Sequence, residues 1–536
     1  MNMRTVHPRA VLLPMIGVLA LALAACTSGN ASPSSSSPSA AASAASAGPI
    51  QRGGTLTIAI EDDIRAGGNL QAHDVVDNTV YGSTVFDPLF TVSKSGNPAP
   101  ALATAATPSD GNLTWTFTIR QGVKFTDGKP FNAESVKENL DAFLNAKNAS
   151  PVAADLADIK SYNVTGPYTI VIHLDTPYAH LPNIFMDNAY MAEMNPYNPN
   201  VPVGTGPYEF VSHVVGNELT FKRNPDYWRG DPPLNEVVFK VITTPQLATL
   251  DLEKGIVDMV PEYLDSTSID ALSKQSGINL YSAKGTDNYQ AFLDFQKART
   301  GGYKNAADVR QGLADLIDTQ QLVPPLIGSF GTLATQPIPA GEAGYDPSIT
   351  PWPFDPTQGE KLLAEGGIPK GGTISLYAIQ RTDLCAVATA FQAQLNSLGY
   401  HATLQCLENE VAATVLRNYQ WDMFFWHNGE GNLASATFQD IWAITNAPNP
   451  PNDIFTLRDP QLQNVINAMV ATTDTSQYEK LVQQASQIVV KQQIATIPLY
   501  FDTVWIAARS NVHGVVANAQ DDYGLLMNAM TTVWKS

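Results

Sequence analysis

Residues 109–136 read SDGNLTWTFTIRQGVKFTDGKPFNAESV, and few backbone arrangements satisfy that string. Leu113, Trp115, Phe117 and Ile119 alternate with Thr114, Thr116, Thr118 and Arg120. A period of two with one apolar face predicts a half-buried strand. Thr126-Asp127-Gly128-Lys129-Pro130 supplies the residues of a tight turn. Asn132 then stands as a helix N-cap, with Glu134 in the first turn, where the helix dipole favours a carboxylate. Phe131 and Val136 occupy the two positions of a hydrophobic staple. Val136, Leu140, Phe143 and Leu144 continue one helical face. The same mixture recurs downstream. Residues 246–254 read as a helix, Gly255 as its cap and 256–259 as a strand. Residues 374–379, 386–398 and 401–405 read as strand, helix and strand, with Gly399 closing the helix, which is a βαβ unit. The chain is of the α/β class.

The N-terminus predicts where such a body works. Arg4 and Arg9 precede an almost wholly apolar run at 11–24. Leu23-Ala24-Ala25-Cys26 follows and resembles a bacterial lipobox, in which the cysteine is acylated and becomes the first residue of the mature protein. An uncleaved anchor would need roughly 20 apolar residues, and about 14, interrupted by Pro14 and Gly17, fall short. Residues 1–25 are therefore read as a lipoprotein signal peptide. Residues 26–50 are nearly all Ser, Ala, Pro, Gly and Thr without a charge, a composition that cannot bury a core and reads as a tether. Stable anchoring generally takes two or more acyl chains. The expected location is the extracytoplasmic face of the cell membrane, lipid-anchored. No later stretch is long and apolar enough to cross a membrane.

Of the 536 residues, roughly 485 remain after the tether, enough for two or three domains with substantial cores. The formal charge is −19, and removal of Arg4 and Arg9 with an acid-free leader gives −19 − 2 = −21. With no basic run anywhere, nucleic acid is excluded as a natural partner. Besides Cys26 the chain has Cys385 and Cys406, one on each side of the βαβ unit. In such a unit the start of the helix and the end of the second strand lie at the same sheet edge, so the thiols can meet outside the cell. A bridge closing about 20 residues contributes on the order of 3 kcal/mol. The alternative is two buried free thiols. A metal site has no second pair of ligands nearby.

The 109–136 string closely resembles a hallmark segment of the extracytoplasmic solute-binding proteins of ABC importers, in the peptide/nickel-binding (dipeptide and oligopeptide, family 5) group. Further phrases are similar: residues 54–60 with the acidic pair Glu61 and Asp62 after them, 100–103, 204–210, 223–228, the helix opening at 308–310, 362–367 and 497–500. Their Gly and Pro residues fix backbone angles, so their first duty is structural. The resemblance implies a two-lobed periplasmic-binding-protein-like fold with hinge strands and an extra small domain inserted in the first lobe. Mapped here, lobe 1 takes 51–87, 207–290 and 496–536, the inserted subdomain 88–206, and lobe 2 291–495. The crossings are expected near 289–295 and 497–505. It also implies a monomeric, non-catalytic receptor without a cofactor that delivers a small solute to a permease and ATPase complex. Ligand would shift an open lobe pair towards a closed one.

An enzyme would need residues that are not found. There is no Gly-x-Ser-x-Gly elbow, His-Glu-x-x-His pair, P-loop lysine motif or Rossmann fingerprint, and the eight histidines are scattered. A surface sensor remains as a lesser alternative. For the cargo, short peptides come first, with an oligosaccharide, an opine-like compound or a metal chelate as alternatives. A peptide needs an acid for its ammonium, strand edges for its backbone and aromatic pockets for its side chains. Residues 421–432 occupy the place where peptide binders carry an acid for the ammonium. Here no Asp stands at the expected spacing and Glu430 is the nearest acid. Glu430 or the Glu61-Asp62 pair is assigned the ammonium, and Tyr500 the strand edge. Trp426, His427 and Asn428, read as a loop beside glycines, are assigned a pocket. Trp421 and Phe424 read as core. A bare metal ion has no clustered ligands.

Overall fold

The computed structural model describes residues 49–61, 63, 82–93, 97–145, 153, 156–186, 189–195, 198, 201–261, 263–295, 302–417, 421–428, 457, 459–517 and 529–536. The leader, Cys26, the tether up to residue 48, Asp62 and Glu430 lie outside the described residues. Strand Thr114–Ile119 buries Trp115, Phe117 and Ile119, as their alternation predicts. Asn132 caps helix Ala133–Phe143: its Oδ1 accepts from the amides of Glu134 at 2.9 Å and Ser135 at 3.2 Å. Ser135 Oγ in turn accepts from the Asn132 amide at 3.3 Å, completing a reciprocal box that satisfies otherwise orphaned donors. Phe131 and Val136 are both fully buried in one apolar cluster. The strand is internal to a four-stranded antiparallel sheet ordered Ala103–Ser109, Thr114–Ile119, Thr169–Leu174, Ile159–Gly166.

A larger sheet has eleven strands among the described residues. One half runs Tyr208–Val214, Glu218–Arg223, Glu236–Val241, Thr55–Ile60, Met259–Pro261. The other runs Met423–Asn428, Thr373–Ile379, His401–Leu407, all three parallel. An antiparallel pair of long strands, Ile278–Leu293 and Thr496–Arg509, joins the halves, and Gly331–Leu333 adds to the latter. Helix Thr382–Ser397 covers the second half, burying Leu384, Val387, Phe391 and Leu395, with the ring of Phe391 edge-on to Phe425 at 5.2 Å. It starts four residues earlier than the apolar periodicity alone suggests. Cys385 in its first turn is bonded to Cys406 near the end of the next strand, with Cα atoms 6.1 Å apart.

The first half of the sheet is closed by the last residues of the chain. Tyr208 Oη donates to the Met530 carbonyl at 3.3 Å. Lys535 Nζ donates to Asp258 Oδ2 at 2.8 Å and to the Thr55 carbonyl at 3.2 Å. The same Asp258 oxygen accepts from the Thr57 amide at 3.0 Å. Among the described residues no helix is long and apolar enough to cross a membrane.

One expectation is corrected. Residues 426–428 are not a loop but the end of strand Met423–Asn428. Met423, Phe424 and Phe425 are fully buried, and the strand pairs on both sides, with Ile278–Leu293 and with Thr373–Ile379. A continuous apolar run sheltered on both faces is how an interior parallel strand reads, and the glycines come after it.

Candidate functional site

The two joining strands pair regularly from Ile278↔Arg509 to Lys284↔Thr503, and then the register breaks. It shifts between Lys284 and Asn288 and again between Tyr289 and Gln290. Such irregularities bend a strand and re-aim side chains, and they gather near functional sites. Beside the first break, a Cβ on Gly285 would fall 1.7 Å from Asp502 Oδ1, so the glycine leaves the room that this carboxylate occupies.

Immediately after the break, three strands align His427, Tyr289 and Tyr500 as cross-strand neighbours. Their rings form a row: Tyr289 on Tyr500 at 4.4 Å and 6°, His427 on Tyr289 at 5.2 Å and 17°. Both tyrosines are fully buried, so the row is a floor, while His427 keeps part of its surface open. The Arg381 guanidinium lies over the Tyr289 ring, 5.0 Å from its centroid, a cation–π arrangement. Arg381 is the N-cap of helix Thr382–Ser397 and gives that helix no side-chain cap, so its first amides point outward at the positive end of the dipole. Its side chain remains 45% exposed, which leaves the charge reachable from solvent.

Carboxylates surround this cation. Tyr500 Oη donates to Asp383 Oδ2 at 2.6 Å, and Asp383 Oδ1 lies 3.9 Å from Arg381 Nε. His427 donates from Nδ1 to Asp287 Oδ2 at 2.7 Å. Burial pushes the Asp287 carboxyl up, but His427 and Arg381 beside it win and hold it below its ordinary range. Burial likewise pushes the hydroxyls of Tyr289 and Tyr500 well up, with Asp287 adding for the first and Asp383 for the second. Both stay neutral donors. Asp287 Oδ1 and the Tyr289 hydroxyl are buried with no hydrogen-bond partner among the described residues. Asn288 Oδ1 and Gln290 Nε2 share that condition. Buried orphans are costly, and four in consecutive residues at one crossing mark a place built to meet something else. The arrangement offers one accessible guanidinium and helix N-terminus for an anion, carboxylates for a cation, and aromatic surface between.

The sequence-assigned residues fare unevenly. His427 and Tyr500 belong to the ring row. Tyr500 does not offer a free strand edge, because its backbone pairs with Tyr289 on one side and Leu333 on the other. Trp426 is half-buried with its ring 6.4 Å from His427. Asn428 is placed by its backbone opposite Asn288. Glu61 stands exposed at the end of strand Thr55–Ile60, in the first half of the sheet and outside the row. Trp421 and Phe424 are core. Sequence reading missed Asp287, Tyr289, Arg381 and Asp383. The last two follow the carboxyl end of a parallel strand, where open α/β sheets gather their ligand groups, and that rule would have found them. Among the described residues no group of three or more His, Cys, Asp or Glu side chains is placed to hold a metal ion.

Comparison with known proteins gives a consistent result. The family described as bacterial extracellular solute-binding proteins, family 5 Middle, matches residues 97–449. The glutathione-binding protein GsiB of Salmonella typhi is 27% identical over 461 residues, covering 83% of this chain and 88% of that protein. The oligopeptide-binding protein AppA of Bacillus subtilis, solved with a nonapeptide, superposes with a TM-score of 0.76 at 19% identity, covering 91% of this chain and 100% of its own. AgaA of A. tumefaciens R10, solved with agropinic acid, gives 0.77 at 20%, covering 90% and 99%. The fold is therefore the two-lobed one of these binding proteins.

Proposed function

The chain belongs to the family 5 bacterial extracellular solute-binding proteins, which capture solutes for ABC importers, and from that premise we propose that it is a lipid-anchored, monomeric and non-catalytic receptor for a small zwitterion, short peptides first. In this reading Cys26 is acylated after loss of residues 1–25, and residues 27–50 tether the body to the membrane beside its permease and ATPase. Lobe 1 takes 51–87, 207–290 and 496–536, with 88–206 inserted, and lobe 2 takes 291–495.

The observation that carries the cargo reading is the opposition of charge over the ring row. Arg381 and the bare start of helix Thr382–Ser397 suit a carboxylate. Asp287 and Asp383 suit an ammonium. The stacked rings suit whatever joins the two. Curated relatives named for glutathione, and a structural neighbour solved with a nonapeptide, agree with this chemistry. Calorimetry of the purified protein with glutathione and with di- to pentapeptides tests it, after native mass spectrometry of protein from its own cells. Arg381→Ala is expected to weaken binding of the active compound at least tenfold, and blocking the compound's carboxylate as an amide should cost wild type the same. Binding that ignores both changes would refute the zwitterion assignment and leave an uncharged solute.

A further inference from the structure

Helix Pro460–Ala471 belongs to the core of the sheet's second half, yet its end is finished by a different part of the molecule. The chain leaves the helix at Thr472 in an extended conformation, φ −93 and ψ 138, with no left-handed cap residue. The last carbonyls of such a helix need donors from elsewhere. They come from the segment that carries the four-stranded sheet. The Ala179 amide donates to the Val470 carbonyl at 2.7 Å. Asn112 Nδ2 donates to the Ala471 carbonyl at 3.1 Å. The His180 ring packs edge-on against Tyr478 in the following helix, 5.3 Å between centroids, and its Nε2 is buried without a hydrogen-bond partner among the described residues.

The donors are held as one platform. Asp110, Gly111 and Asn112 all have positive φ, at 52, 65 and 69°. Consecutive left-handed residues, two of them not glycine, cost energy that the surroundings must offset, and they persist where a geometry is needed. The Asn112 carbonyl accepts from the Tyr178 amide at 3.3 Å, and Trp115 Nε1 donates to the Tyr178 carbonyl at 3.0 Å. Asn112 and Ala179-His180 are thereby fixed together. The apolar clusters on the two sides of this contact are separate, and the joining strands with their register breaks lie between the sheet halves.

We propose that Asn112, Ala179 and His180 form a latch that caps helix Pro460–Ala471 only when the cleft is shut. The inference rests on the receptor reading, because opening about the joining strands draws platform and helix end apart. These groups touch no ligand. They set the population of the closed form, and apparent affinity scales with that population. An open molecule leaves the helix carbonyls to water, so the latch adds little net energy and biases the equilibrium without freezing it.

The test uses the full chain with Cys26→Ser, labelled at Lys160→Cys and Ser476→Cys, two exposed sites flanking the contact. Distances are measured by double electron–electron resonance without ligand and with millimolar glutathione. Asn112→Asp keeps a residue that tolerates the left-handed turn but points an acceptor at a carbonyl. His180→Ala removes the ring contact with Tyr478 and leaves the backbone of the segment as it is. Each variant is expected to deplete the short-distance population of the unliganded protein about fivefold, with unchanged circular dichroism. Where glutathione binds, each should raise its dissociation rate by a similar factor. A distance distribution identical in wild type and both variants, or one lacking the short component in wild type, overturns the latch. Failure of glutathione to bind would count only against that cargo, since the unliganded distances decide the latch alone.

Discussion

At the scale of single residues, the Asp87 carboxylate shows how one side chain organises distant segments. It accepts from Thr205 Oγ1, Tyr227 Oη and Trp228 Nε1, each at 2.8 Å, in full burial. Burial pushes its carboxyl above the ordinary value, while Arg229 and the three donors pull the other way. Asp87→Ala would strand three donors and should cost about 3 kcal/mol in urea unfolding. Asp287 has the opposite sign, held below its ordinary 3.8. The stability it contributes is fully present above about pH 4 and is lost as pH falls through its lowered value. Asp287→Asn should flatten the dependence of the melting temperature on pH in that acid range and leave it unchanged near neutrality. What was legible at this scale was local. The Asn132 cap could be read because its partners lie within three residues. Asp287, Tyr289 and Arg381 could not be read as one group, because strands far apart in sequence assemble them. The phrase around Tyr227 and Trp228 was rightly read as structural, although nothing in sequence pointed to Asp87.

At the scale of elements, helix Thr382–Ser397 matters most, because its first turn carries Arg381 and Asp383 into the site. The Cys385–Cys406 bond pins that turn to the neighbouring strand. Reduction, or replacement of both cysteines by serine, is expected to destabilise the protein by about 3 kcal/mol on the loop-entropy estimate. It should also weaken ligand binding more than a comparably destabilising change elsewhere, measured by calorimetry at matched temperature below melting. A non-reduced digest checks the linkage itself by mass spectrometry. The βαβ unit was readable since strand and helix periods are both local signals. Strand Met423–Asn428 was not, because a run of aromatics beside glycines looks the same whether a sheet shelters it or not. Only its two partner strands decide.

At the scale of the whole molecule, the order of the large sheet explains which parts of the fold sequence could not supply. Alternation predicts strands, but not that Thr55–Ile60 lies between residues 236–241 and 259–261, nor that the return strand Thr496–Arg509 runs through both halves. Resemblance supplied the discontinuous lobes and a returning strand, and the order of the strands came only from the structure. Lys535→Ala should test the closure at the far end: Asp258, 5% exposed, would lose its cation, at a cost of about 3 kcal/mol in urea unfolding. The lock at Lys535 fixes a time as well as a place. A ribosome delivers Thr55 and Asp258 long before it delivers the return strand or Lys535. Pairings that span so much chain form slowly. The opening sheet therefore waits, incomplete, until the tail of the chain has arrived. The half built on Thr55–Ile60 is thus the last to be completed, while the four-stranded sheet within residues 103–174, made of strands near in sequence, can form as soon as it is delivered.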